Sequence, residues 1–162
     1  MTTVSTWVFD DPDGAEWALR RLERLAAQEL VVVEDASVVS WPAGRPRPRT
    51  YQAGAVTGAA GLSGAFWGLL FGVLFLLPLA GPAAGPQRAG LSRIGLTDRF
   101  LQRVRDRVVP GTSALFLLTH DAVVEPLADV LGGSSPGPLS AVLSGDEEAA
   151  LQRAFAGGDP VP

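Results

Sequence analysis

Gly64-Ala-Phe-Trp-Gly-Leu-Leu-Phe-Gly-Val-Leu-Phe-Leu-Leu77 is the densest part of an uncharged stretch. Thirty-eight residues separate Arg49 from Arg88, and Tyr51 is the only ionisable one among them. Gly54, Gly58, Gly61, Gly64, Gly68 and Gly72 recur every three or four residues. At helical spacing they share a stripe roughly 120° wide. Gly64-x-x-x-Gly68-x-x-x-Gly72 is the small-xxx-small spacing that lets two helix backbones approach. Each glycine costs about 1 kcal/mol against alanine inside a helix, so six on one face call for a compensating close contact. The opposite face offers Phe66, Leu69, Leu70 and Val73 to lipid or to another apolar surface. As one helix, residues 54–77 would be about 36 Å long, against a hydrocarbon core of about 30 Å.

The flanks constrain how such a stretch inserts. Arg45, Arg47 and Arg49 precede it, and Arg88 and Arg93 follow it. Basic residues on both sides fit two ends held on the cytoplasmic face. A single span would also part strands expected to share one sheet. The expectation is therefore a hairpin returning to its own side. Pro82, Pro86 and Arg88 make its second arm a poor span, which favours a re-entrant or partly inserted form sheltered by an oligomer.

Outside this stretch the chain alternates strands and helices. Val4, Thr6 and Val8 should lie on one strand face, with Ser5, Trp7 and Phe9 on the other. Asp13 is placed to cap a helix whose inner face is Ala15, Ala18, Leu19 and Leu22, leaving Trp17 exposed. Leu30–Trp41 reads as a strand interrupted at Glu34-Asp35, which suggests a solvated bulge. Arg47–Ala53 reads as a short returning strand that Pro48 would confine to an edge or shorten. Leu96-Thr97-Asp98 opens a helix burying Phe100, Leu101, Val104 and Val108, and Pro110-Gly111 stops it. Ser113–Thr119 is almost continuously apolar, as a central strand covered on both faces would be. Asp121 opens a third helix, and Gly132–Pro138 is a loop. Leu139–Leu143 is a last strand, and Ser144 with Glu147 forms a capping box for a final helix.

The expected fold is α+β, a ferredoxin-like split β-α-β sheet with an inserted glycine-rich helical hairpin. Residues 1–53 and 91–156 would be its two halves, 54–90 the hairpin and 157–162 a frayed tail. The N-terminus shows no signal-peptide pattern.

Several runs resemble an uncharacterised bacterial family of glycine-zipper membrane proteins known only as a domain of unknown function. They are Val8-Phe9-Asp10, Glu34-Asp35-Ala36-Ser37-Val38-Val39, Gly64-Ala-Phe-Trp-Gly-Leu-Leu70, Phe75-Leu-Leu-Pro-Leu79, Ile94-Gly-Leu-Thr-Asp-Arg-Phe100 and Pro110-Gly-Thr-Ser-Ala-Leu-Phe116. The chain departs from the family in using arginine for lysine and in Pro82 and Pro86. The resemblance implies membrane association and transfers no catalytic residue.

Chemistry is sparse in the sequence. There is no cysteine, so disulfides, thiolate metal sites and cysteine nucleophiles are excluded. All thirteen basic residues are arginine, which excludes lysine-based phosphate loops and Schiff bases. A net charge of −4 argues against a nucleic-acid partner. His120 is the only imidazole, and Asp121 beside it would point to the opposite face of a strand. Asp10, Asp11 and Asp13 lack calcium-loop spacing and suit a turn. Trp17 and Trp41 are candidate partner anchors.

The leading expectation is a non-enzymatic, self-assembling protein at the cytoplasmic membrane, needing no cofactor or metal, with its α+β domain as scaffold or sensor on the cytoplasmic side. One alternative is a soluble, cytoplasmic homo-oligomer that buries the hairpin between subunits. The other is a small-molecule binding module or enzyme using the His120 loop, with its ligand unspecified.

Overall fold

The computed structural model describes residues 2–28, 33–54, 67, 70–76, 91–120 and 139–155. Five strands form one sheet: β1 (Thr2–Phe9), β2 (Val33–Ser40), β3 (Arg49–Gly54), β4 (Ser113–His120) and β5 (Leu139–Val142). Their order is β3-β2-β4-β1-β5, and every adjacent pair is antiparallel. Among the described residues, α-helices α1 (Gly14–Ala27), α2 (Asp98–Arg107) and α3 (Gly145–Phe155) accompany them. The domain is thus α+β.

The side-chain pattern explains the order. Every residue from Ser113 to Thr119 is buried, so β4 needs neighbours on both edges and cover on both faces. It lies between β2 and β1, in register Val38↔Leu115 and Trp7↔Leu115. Arg49 and Thr50 are exposed, and Pro48 precedes them, so β3 takes the edge. The third strand therefore does not take the place between the first two. The position goes instead to the apolar strand that follows the glycine-rich stretch.

The sheet separates two cores. On one face, Ala15, Ala18, Leu19 and Leu22 of α1 pack with Trp7, Val38, Leu115 and Leu117. On the other, Val4, Val8, Val39, Phe116 and Leu118 meet the Trp67–Phe75 stretch, the turn at 91–96, α2 and α3. The alternation expected in β1 is present, with Val4 and Val8 on one side and Trp7 on the other. Trp17 is 57% exposed on the outer side of α1.

Helix ends are fixed by side chains. Thr97 caps α2, its Oγ1 accepting from the Phe100 amide at 3.3 Å. Ser144 and Glu147 form the expected capping box on α3: the Ser144 amide donates to Glu147 Oε1 at 2.8 Å, and the Glu147 amide donates to Ser144 Oγ at 3.2 Å. At α1 Asp13 holds the expected cap position, its carbonyl accepting from the Trp17 amide at 3.2 Å, but a distant side chain caps the Ala15 amide. The Ala15 amide donates to Ser113 Oγ at 2.9 Å, from a residue 98 positions away, whereas the Asp13 amide donates to Asp11 Oδ1. Ser113 Oγ in turn donates to the Asp11 carbonyl at 2.7 Å, tying the start of β4 to the start of α1.

The hairpin expectation falls largely on residues outside those described: Gly58, Gly61, Gly64, Phe66, Gly68, Leu69 and Arg88. The third helix from Asp121 and the loop at 132–138 also lie outside. Among the described residues no helical hairpin leaves the sheet, and no helix is long and apolar enough to cross a membrane. Gly54 does not belong to a helix stripe; it ends β3 opposite Ala36. Gly72 begins a π-helical turn, Gly72–Leu76, whose wider winding takes the chain off the straight α-helix that a one-faced stripe requires.

Gly95 occupies a position closed to other residues. Its φ is +94°, in the left-handed region, and a Cβ there would lie 2.7 Å from Leu143 Cδ2. The turn is closed by the Leu96 amide donating to the Leu91 carbonyl at 2.9 Å. Gly95→Ala should lower unfolding free energy by about 1–3 kcal/mol, read from urea denaturation at unchanged m-value.

Candidate functional site

The feature that joins the glycine-rich stretch to the sheet is built on Asp35. The β2 register shifts between Val33 and Asp35, so the bulge expected at Glu34-Asp35 exists. It does not face solvent. Asp35 is fully buried, with Oδ1 accepting from the Ala36 amide at 2.8 Å and Oδ2 accepting from Trp67 Nε1 at 2.9 Å. The bulge re-aims the acid into the protein, where an unpartnered carboxylate would cost several kcal/mol. Trp67 meets the same rule from the other side, because its buried indole N–H needs an acceptor.

From Trp67 an aromatic row runs along the stretch. Trp67 stacks on Phe71 with centroids 5.9 Å apart, and Phe71 lies 6.1 Å from Phe75. Phe71 meets Phe116 of β4 edge-on at 5.1 Å, and Phe75 meets Trp41 edge-on at 5.9 Å. Such pairs add about 0.5–1.5 kcal/mol each beyond the area they bury. Leu70, Val73 and Leu74 are buried beside them. Leu70 and Val73 thus pack within the chain, against its own sheet.

Trp41 is half-buried and is used within the chain. Its Nε1 donates to the Arg45 carbonyl at 2.9 Å. Its backbone holds the turn before β4: the Trp41 amide donates to the Thr112 carbonyl at 2.9 Å, and the Gly111 amide to the Trp41 carbonyl at 2.6 Å. Gly111 has a φ of +91°, which explains glycine in Pro110-Gly-Thr-Ser113.

The remaining candidates do not converge. Arg45, Arg47, Arg49 and Arg93 are exposed, three of them around the β2–β3 turn and one in the turn before α2. His120 closes β4 opposite Thr2, and Asp121 lies outside the described residues. Asp11 and Asp13 form a turn, and among the described residues no group of acids and imidazole is arranged to hold a metal ion. No cofactor-binding constellation is formed by the residues described, and Asp35 is engaged in structure by the indole and the amide.

Trp67, Phe71 and Phe75 were legible as an i, i+4, i+8 set, one step out of phase with Gly64, Gly68 and Gly72. That spacing is a signal for an aromatic ridge, obscured by the glycines. Asp35 carried a second signal, as an acid within a valine-rich strand.

These features define an α+β domain on an antiparallel sheet, with a glycine-rich apolar stretch fastened to one face by a buried acid. Residues 59–156 match the family described as "Protein of unknown function (DUF1269)". The match covers well over half of the chain, which therefore belongs to that family. No curated protein and no solved structure matches the chain.

Removing either partner of the clamp breaks the bond that joins the bulge to the aromatic row. Trp67→Phe and Asp35→Ala should each destabilise the fold by about 1–3 kcal/mol. A double-mutant cycle should give a coupling energy of about 1 kcal/mol or more, measured by denaturant unfolding; additive losses would place the two groups in separate environments.

Proposed function

We propose that the protein is a non-enzymatic scaffold or sensor that self-associates at the cytoplasmic face of a membrane through its glycine-rich stretch. The observation that carries this reading is the division of the uncharged stretch. Trp67 and residues 70–75 supply core to the sheet, yet residues 55–66 and 77–87 are equally free of charge. Strands on both sides of the stretch pair within one sheet, so it leaves and rejoins one folded domain.

Length then limits the mode of insertion. Twelve residues, 55–66, would make about 18 Å of helix, well short of a hydrocarbon core of about 30 Å. Recruiting residues 67–76 to lengthen it would uncover Val39 and Phe116 and separate Trp67 from Asp35. Lipid would solvate Leu70 and Val73 as well as the core does, but it would not restore the sheet face, worth about 1.5–3 kcal/mol per large apolar side chain. The stretch is therefore a shallow, one-leaflet anchor with its base in the domain. Gly58, Gly61, Gly64 and Gly68 supply the small-residue surface for a second copy.

A finer fold reading accompanies this one. The sub-order β2-β4-β1-β5 suits a ferredoxin-like sheet, with β3 added at its edge.

The burial of Leu70, Val73 and Leu74 within the chain also favours a second reading, a homo-oligomer that covers the stretch between subunits without lipid. Fractionation separates the two. The proposal predicts a membrane pellet that withstands high salt and disperses in detergent. An oligomer in the detergent-free supernatant favours the second reading, and a monomer there contradicts both. Gly64→Leu with Gly68→Leu should shift the detergent-dispersed species toward monomer on sizing.

A further inference from the structure

Residues 91–107 carry five arginines against two aspartates, a local excess of three positive charges in a chain of net charge −4. Two of them, Arg99 and Arg103, lie one turn apart on α2 and line an open cleft of about 210 Å³. Thr97 and Phe100 share its helical wall, and Ser140 and Val142 of β5 form the opposite side. Among the described residues β5 is an outer strand of the sheet, with no strand paired to its far edge.

Arg99 and Arg103 are both exposed, and neither guanidinium meets a carboxylate among the described residues. Like charges four residues apart on a helix repel by a few tenths of a kcal/mol. Nearby acids are used otherwise. Glu147, packed against Gly95 at the cleft's end, accepts from the Ser144 amide, and Asp106 accepts from Gln102 at 2.8 Å. The cleft thus has two unneutralised guanidinium forks, hydroxyls on both walls and room for a small anion.

We infer that this cleft binds a phosphate monoester group through Arg99 and Arg103. Guanidinium forks match phosphate oxygens in pairs, and two forks on one wall suit a dianion better than a single carboxylate. The small volume and the four-residue length of β5 argue against an extended acidic peptide, which needs a longer edge to add a strand. The same headgroup chemistry occurs free in solution and on an acidic phospholipid.

The test titrates the full chain with glycerol 3-phosphate by calorimetry and, separately, floats it with vesicles of phosphatidylcholine with or without phosphatidic acid. Arg99→Gln with Arg103→Gln is the test variant, and Arg20→Gln, whose arginine pairs with Glu16 on α1, is the control. Saturable binding of the free ester, weakened about tenfold or more per arginine and unchanged in the control, supports a soluble phosphate ligand. Extra flotation with phosphatidic acid that disappears in the double variant supports a lipid headgroup. Binding in neither arm, equal binding by the double variant, or tighter binding of a poly-glutamate peptide overturns the inference. Flotation on phosphatidylcholine alone reports the glycine-rich anchor, so the two proposals fail separately.

Discussion

The structure depends on where β4 lies. A strand in which every residue from Ser113 to Thr119 is buried has to be flanked and covered, and it is reached only after the chain has passed through its uncharged stretch. Its insertion between β2 and β1 forces residues on both sides of that stretch into one folded unit. The anchoring bonds of Ser113, Gly111 and Thr112 to Asp11, Ala15 and Trp41 are the local expression of this closure. Any account of the glycine-rich residues must begin from two fixed ends on a common sheet.

From this constraint follows the role of Asp35. A β-bulge turns a carboxylate inward, where it can persist only with donors. The Trp67 indole meets that need and brings the aromatic row with it, so that Phe71 and Phe75 reach Phe116 and Trp41. One buried polar contact thereby selects which part of an apolar run becomes core. Hydrophobic burial supplies most of the energy, and the hydrogen bond supplies the register.

What could be read in advance follows the range of the interactions. Alternation in β1, the unbroken apolar run of β4, Thr97, the Ser144–Glu147 box and the exposure of Trp17 are local patterns, and all appear as expected. The edge placement of β3 was readable from Pro48. The α1 cap from Ser113 and the Asp35–Trp67 bond were not, because periodicity carries no information about partners 98 or 32 residues away. Leu70 and Val73 show a second limit: hydropathy gives the same score to a side chain in lipid and one in a protein core. Gly54 and Gly72 show a third limit: the spacing presumes one straight helix, whereas Gly54 is in a strand and Gly72 in a π-turn.

Native-state hydrogen exchange on the full-length protein tests most directly whether residues 70–76 are part of the domain core. Amides from Leu70 to Phe75 should exchange only through openings as costly as those that expose Leu115–Leu118 of β4. Exchange orders of magnitude faster at Leu70–Phe75, with β4 still protected, would contradict that placement.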